Sequence, residues 1–124
     1  MSEFALRYET WFRLPAVLLG MGPGVSGVTV GAAGVTVRMG WVFRAEIPLS
    51  SITSAGSDGG RVGGWGVHGF GGRWLVNGSS RGLVRLRIEP DARAAVLLVP
   101  VRLRELRISV EQPQALLAAL GRPA

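Results

Sequence analysis

Apolar and charged residues alternate from Val84 to the end of the segment Leu83–Ile88. In an extended chain, one side carries Val84, Leu86 and Ile88, and the other side carries Arg85 and Arg87. A helix would not separate the two sets in this way, because its side chains repeat every 3.6 residues. The segment therefore predicts a strand with one buried face, and it directs this part of the chain toward a β architecture.

Three neighbouring segments extend this prediction toward the C-terminus. The step Glu89–Asp91 contains a proline and predicts a turn. Residues Ala94–Val101 are almost continuously apolar, which predicts a strand covered on both faces. Residues Leu103–Val110 alternate again and predict another strand.

The last segment has the features of a helix. Proline at position 113 suits the first turn, and the leucines at 116, 117 and 120 form one apolar face. Gly121 suits a C-terminal cap. We therefore expect a C-terminal α-helix over residues 112–121.

Glycine and valine shape the first part of the chain. Glycine accounts for 19 of the 124 residues, which is about twice its usual share. Two Val-Thr-Val runs, at 28–30 and 35–37, predict a hairpin. Further short strand candidates cover Phe4–Leu14, Trp41–Ile47, Ile52–Ala55 and Trp74–Val76, and we expect about seven strands in all.

The inventory of reactive side chains excludes several functional classes. A chain of 124 residues has room for one domain, residues 1–124. It contains no cysteine and one histidine, which excludes disulfides, thiol catalysis and any cluster of several histidines around a metal. We therefore expect neither a metal nor a cofactor.

The longest uncharged stretch covers residues 14–37. Its repeated glycines, its two prolines and its Val-Thr-Val runs argue against a membrane-spanning helix. Acidic residues near the start of the chain argue against a signal peptide. We expect a soluble, cytoplasmic protein.

Several of these segments together are similar to one known group of proteins. The strand, polar-Pro step and helix over Ile108–Leu120 resemble the ending of uncharacterised bacterial proteins with a pleckstrin-homology-like (PH-like) domain. The same resemblance extends to Val35–Ile47 with Gly40-Trp41, to Ile47–Leu49 followed by Ile52, and to Gly71–Trp74.

The resemblance implies a PH-like barrel of two roughly orthogonal antiparallel sheets, with the C-terminal helix plugging one open end. It also implies binding more often than catalysis. Residues 1–22 would lie outside the usual core, as an extra N-terminal strand or an oligomer contact.

The positive charge is concentrated in the second half of the chain. The net charge is +6, and residues 61–124 carry ten arginines against four acidic residues, which accounts for all of it. Adjacent strands would place several arginines on one exposed face, formed by Arg85, Arg87, Arg102, Arg104 and Arg107. Such a face either binds anions or is simply solvated, and Glu89 and Glu105 would partly neutralise it.

The glycine-rich segment 57–72 is a second candidate surface. It carries Arg61, Trp65, His68 and Phe70, and Arg73 follows it. Aromatic stacking combined with phosphate contacts can grip single-stranded nucleic acid, and a similar loop can insert beside anionic lipids. Alternatively, the rings fold back onto the core and the glycines only permit the turn.

A catalytic role would have to use His68, because histidine is the one side chain with an ordinary pKa near neutrality. Asp58 and Ser79 could complete a catalytic arrangement, but no nucleophile motif surrounds either residue. The two GxGxxG matches, at 22–27 and 64–69, do not open a helix and are expected to be accidental. We therefore expect a protein that is not an enzyme.

The preferred functional hypothesis is a non-enzymatic binding module that contacts a protein partner or a second copy of itself. The working surface would be an exposed sheet edge or the glycine-rich segment. The alternative hypothesis is an anion-binding module for a membrane surface or nucleic acid, which would use the arginine-rich second half.

Overall fold

The computed structural model describes residues 2–58 and 66–121, with His68 and Phe70 described by their backbone alone. Within these residues the chain forms nine strands and two α-helices. The strands are β1 (Ser2–Phe4), β2 (Ser26–Val30), β3 (Gly34–Met39), β4 (Phe43–Pro48), β5 (Ile52–Ser57), β6 (Gly66–Phe70), β7 (Arg73–Asn77), β8 (Leu83–Val96) and β9 (Val99–Ser109). The helices are α1 (Thr10–Leu18) and α2 (Pro113–Ala119). The predicted mainly β class with a C-terminal helix is confirmed.

The described strands join into one sheet in the order β1-β2-β3-β4-β8-β9-β7-β6, with β5 also paired to β8. Paired strands run antiparallel, except that β7 and β9 are parallel. The first part of β8 pairs with β5 and its last part pairs with β4. Because β9 runs beside both parts, the β8–β9 hairpin connects the two halves of the sheet.

The turn predicted at Glu89–Asp91 is wrong, because these residues lie inside β8. The pairing of β8 with β9 shifts register there, between Arg87 and Ala92. A bulge of this kind bends a strand without reversing it. The chain reverses instead at Leu97-Leu98, inside the segment that the sequence predicted to be one covered strand.

The sheet is not a closed barrel, which corrects the expected barrel of two separate sheets. No ladder in residues 2–58 and 66–121 joins β1 to β6 at the two ends of the strand order. Instead, isolated bridges link Leu6 to Val110 and Tyr8 to Gly78. The physical reason is that β1 has only three residues, while β8 and β9 are long enough to cross from one half of the sheet into the other.

The N-terminal segment differs from the single strand predicted over Phe4–Leu14. It forms β1, which pairs with β2, and then an extended stretch that carries the buried side chains of Leu6 and Tyr8. Helix α1 follows, with Phe12 and Ala16 buried one turn apart. The strand prediction failed for α1 because its proline and its exposed apolar residues hide the helical periodicity.

The core lies between the inner face of the sheet and the helices. Val84, Leu86 and Ile88 are buried, as the alternation of their segment predicted. Leu116 and Leu117 of α2 are also buried, and this helix packs on β5 and β8. The described helices are all too short or too polar to cross a bilayer.

Candidate functional site

The structure divides the predicted arginine face into separate groups. Arg73 on β7 and Arg87 on β8 both face Glu105 on β9 in the strand register. Together with Arg104 they line one cleft of about 310 Å³. Arg102 lies elsewhere on the hairpin, opposite Arg93 and closer to the turn.

Two further arginines of this face are held by an acidic residue that the sequence did not single out as their partner. The Arg107 Nε donates a hydrogen bond to Asp58 Oδ2, and Arg85 Nη2 lies 3.6 Å from Asp58 Oδ1. The side chain of Asp58 is only 6% exposed. Arg85 also approaches Glu105, with Nε 3.7 Å from Oε1. These arginines therefore serve an ion-pair network rather than a free surface.

The residues predicted from the glycine-rich segment are only partly covered by the structure. Arg61 and Trp65 lie outside the described residues. His68 and Phe70 lie in β6, which pairs with β7, and their side chains are outside the described part. Trp74, which follows the segment, is half-buried and packs against the core.

A different surface, which the sequence analysis missed, collects large exposed apolar side chains. The tip of the β8–β9 hairpin exposes Leu97 by 52% and Leu98 by 76%, and Trp41 in the β3–β4 turn is 55% exposed. We call this surface the apolar end and define it by Leu18, Leu19, Val25, Trp41, Leu97, Leu98 and Val99.

Backbone contacts hold the parts of the apolar end together. The indole Nε1 of Trp41 donates a hydrogen bond of 2.9 Å to the carbonyl oxygen of Leu19, just after α1. The amide of Leu97 donates one of 2.9 Å to the carbonyl oxygen of Val42. These bonds place the hairpin tip, the β3–β4 turn and the end of α1 next to one another.

Gly40 permits the close approach of the β3–β4 turn to the end of α1. Its φ angle is +57°, and a Cβ atom at this position would lie 1.9 Å from the carbonyl oxygen of Gly20. A side chain is therefore excluded by both conformation and space. The amide of Gly40 also donates hydrogen bonds to Ser26 Oγ and to the carbonyl oxygen of Val25.

The Leu97-Leu98 turn is unusual in both conformation and composition. Its φ angles are +51° and +68°, in the left-handed region. Two-residue hairpin turns of this kind favour Asn-Gly, because a branched side chain is strained there. This pair exposes apolar side chains and also requires a strained backbone, so it gains nothing obvious from the fold itself.

Tyr8 anchors the chain that leads away from α1. Its hydroxyl donates a hydrogen bond of 2.7 Å to the carbonyl oxygen of Met21. Burial raises the pKa of the Tyr8 phenol above its usual value of 10.0, and a hydrogen bond with Ser26 opposes that rise. The phenol therefore stays protonated at neutral pH and holds the segment around Met21, which follows α1.

Neither the apolar end nor the arginine cleft resembles a metal centre. Among residues 2–58 and 66–121, no three His, Asp or Glu side chains come close enough to hold an ion. The chemistry available is apolar contact at the hairpin tip and anion contact in the cleft.

Comparison with known proteins identifies no relative of this chain. No family model matches it, and neither a curated protein nor a solved structure is significantly similar.

Proposed function

We propose that this chain is a non-enzymatic binding module that docks onto an anionic lipid surface through the apolar end. The observation that carries the proposal is the exposed Leu97-Leu98 turn in its strained conformation. A left-handed conformation costs a leucine about 1–2 kcal/mol. Strain of this kind is often retained where it serves binding.

Insertion into a bilayer would offset this cost. Burying a leucine side chain that water otherwise surrounds contributes about 1.5–3 kcal/mol. Leu97 and Leu98 stand at the end of the longest hairpin, where a convex tip can enter a deformable apolar medium. Trp41, in the neighbouring β3–β4 turn, has the amphipathic side chain that suits the boundary between lipid and water.

The position of the nearest arginines agrees with such an orientation. Arg102 lies four residues beyond Leu98, or about 13 Å along β9. Interfacial segments typically insert their apolar side chains about 5–10 Å deep. The side chains of Arg102 and Arg93 would therefore reach the level of the lipid phosphates, and the net charge of +6 favours an anionic surface.

Co-sedimentation with vesicles tests the proposal. We expect the protein to sediment with mixed phosphatidylglycerol and phosphatidylcholine vesicles, and less strongly with phosphatidylcholine alone. Replacing Leu97→Asn and Leu98→Gly gives the turn its preferred residues and removes the apolar tip, so binding should fall at least tenfold while the fold is kept. Leu98→Met keeps an apolar tip and should retain most of the binding.

The introduction of asparagine at another hairpin turn provides the control. Ala32 is exposed in the β2–β3 turn, outside the apolar end, and Ala32→Asn should leave vesicle binding unchanged. If the Leu97→Asn, Leu98→Gly variant sediments like the parent protein, lipid docking through this end is wrong.

Light scattering without vesicles distinguishes the other proposed occupant, a second copy of the chain. A dimer mass for the parent protein that returns to the monomer in the Leu97→Asn, Leu98→Gly variant would assign the apolar end to self-association. That outcome would replace the lipid proposal with the protein-contact hypothesis. A monomer mass for both proteins agrees with lipid docking.

We further propose that the open sheet is a variant of the PH-like fold and that the protein works in the bacterial cytoplasm. The support for the fold is the C-terminal helix α2, which packs on β5 and β8 directly after the last strand. The lack of cysteine fits a reducing compartment. An experimental structure with a different strand order, or recovery of the tagged protein outside the cytoplasm, would contradict this.

A further inference from the structure

The cleft between β7, β8 and β9 brings together side chains that are distant in sequence. Its volume is about 310 Å³. Arg73 and Arg87 stand on the strands that flank Glu105, so Glu105 lies between them in the register. The polar residues around the cleft are Thr53, Arg73, Arg87, Glu89, Arg104 and Glu105.

Local geometry fixes the position of Arg104. Gly72 has a φ of +84°, and a Cβ atom there would lie 2.9 Å from Cδ of Arg104. Because glycine leaves this space open, the aliphatic part of Arg104 lies directly against the β6–β7 turn. The Gly72 carbonyl oxygen also accepts hydrogen bonds of 2.7 Å from the amide of Arg104 and 3.1 Å from that of Glu105.

The charges around the cleft are not balanced. Glu105 already has Arg85 as an ion-pair partner. Among the described residues, Arg73, Arg87 and Arg104 form no ion pair, and Glu89 is the remaining acidic group of the lining. Three guanidinium groups therefore border a small cleft with an excess of positive charge.

We propose that this cleft binds the phosphoryl group of a small phosphorylated molecule. Guanidinium groups donate paired hydrogen bonds that match phosphate oxygens, and a phosphoryl group presents enough oxygens to engage several arginines at once. Glu89 and Glu105 make an extended polyanion such as nucleic acid a poor fit, because its neighbouring phosphates would be repelled.

The position of the cleft favours a free molecule over a lipid headgroup. Arg104 lies six residues beyond Leu98, or about 20 Å along β9. When the apolar end docks on a bilayer, the cleft would stand above the headgroups. The proposed site is therefore separate from the apolar end. The choice of a free molecule over a headgroup rests on the proposed docking, whereas phosphoryl binding itself does not.

Calorimetric titration with inorganic pyrophosphate, at physiological salt and without vesicles, tests the site. We expect saturable binding to the full chain that weakens at least tenfold in Arg87→Gln and in Arg104→Gln. Arg104→Lys should recover only part of the affinity, because lysine keeps the charge but not the paired donors.

The controls separate this site from general charge and from the apolar end. Arg44→Gln removes an equal charge from an exposed position on β4 and should leave pyrophosphate affinity unchanged. The Leu97→Asn, Leu98→Gly variant should also bind pyrophosphate with unchanged affinity. The proposal of a phosphoryl site and the proposal of lipid docking can therefore be contradicted independently.

Three results would overturn the proposal. One is equal affinity in the parent protein and in Arg87→Gln and Arg104→Gln. Another is an equal loss of affinity in Arg44→Gln, which would indicate general electrostatic attraction. The third is binding that appears only when phosphorylated headgroups are presented on vesicles, which would assign the phosphate to a lipid.

Discussion

The two ends of the β8–β9 hairpin differ in the burial of their apolar side chains. At its base, Leu86 and Leu106 face each other in the register with no exposed surface. On the outer face of this end, Asp58 forms ion pairs with Arg85 and Arg107. At its tip, apolar side chains point into water and the backbone is strained.

This contrast separates residues that hold the fold together from residues that the fold merely presents. Burial of apolar area and pairing of charges stabilise the base. The tip contributes neither, and this difference is what supports the proposed contact with a lipid surface. Changes at the base, at the tip and at Tyr8 sharpen the contrast.

The largest effect is expected at the base. Replacing Leu106→Ala removes a fully buried side chain from the centre of the sheet and should lower the free energy of unfolding by about 2–5 kcal/mol. Urea denaturation measures it. A loss below about 1 kcal/mol would show that the base is not the rigid part of the hairpin.

A smaller loss is expected from the ion-pair network. Asp58→Asn keeps the shape of the side chain but removes the negative charge that faces Arg85 and the largely buried Arg107. We expect a loss of about 1–3 kcal/mol, measured in the same denaturation. Glu46→Gln, which disrupts the exposed pair with Arg44, should change stability by less than about 0.5 kcal/mol.

The tip should respond in the opposite direction. The Leu97→Asn, Leu98→Gly variant relieves two strained φ angles and should raise the free energy of unfolding by about 1–2 kcal/mol. The same variant is expected to lose vesicle binding. A destabilised variant would mean that the leucines serve the fold, and the distinction between base and tip would disappear.

The last effect depends on pH and concerns Tyr8, whose hydroxyl donates a hydrogen bond to the carbonyl oxygen of Met21. Its folded-state pKa is raised, so well below pH 10 the phenol is protonated in both states and its titration adds no pH dependence to the free energy of unfolding. At higher pH the unfolded chain loses the proton first, and the free energy of unfolding falls.

The chain contains no lysine, no cysteine and one tyrosine, so no other side chain titrates between about pH 9 and 12. Tyr8→Phe should remove this alkaline decline, while the lost hydrogen bond to Met21 costs about 1 kcal/mol at neutral pH. Thermal melting from pH 8 to pH 11 tests both parts. An unchanged alkaline decline in Tyr8→Phe would contradict the assignment.

The sequence predicted the strands whose pattern reflects burial on one face. The alternation over Leu83–Ile88 and the apolar stripe of α2 reported burial directly, because neighbours on the same element decide it. The turn was misplaced because its prediction used local composition alone. Glu89–Asp91 has the composition of a turn but forms a bulge, and Leu97-Leu98 has the composition of a strand but forms a turn.

The two candidate sites were predictable to different degrees. Arg87 and Arg104 were identified as members of one arginine face, because strand alternation places outward residues. The separation of Arg102 from the cleft follows a register shift between Arg87 and Ala92, which no local pattern encodes. The apolar end was missed because a run of apolar residues is normally interpreted as buried, whereas the leucines at this end are exposed.

The bridges made by the first residues set a limit on how early this protein can finish folding. Ser109 Oγ donates a hydrogen bond to the carbonyl oxygen of Arg7, and Leu6 pairs with Val110. A ribosome adds about 5–20 residues per second. The start of the chain therefore emerges seconds before its partners exist, and during that interval Leu6, Tyr8 and the apolar residues of α1 are open to chaperones or to other nascent chains.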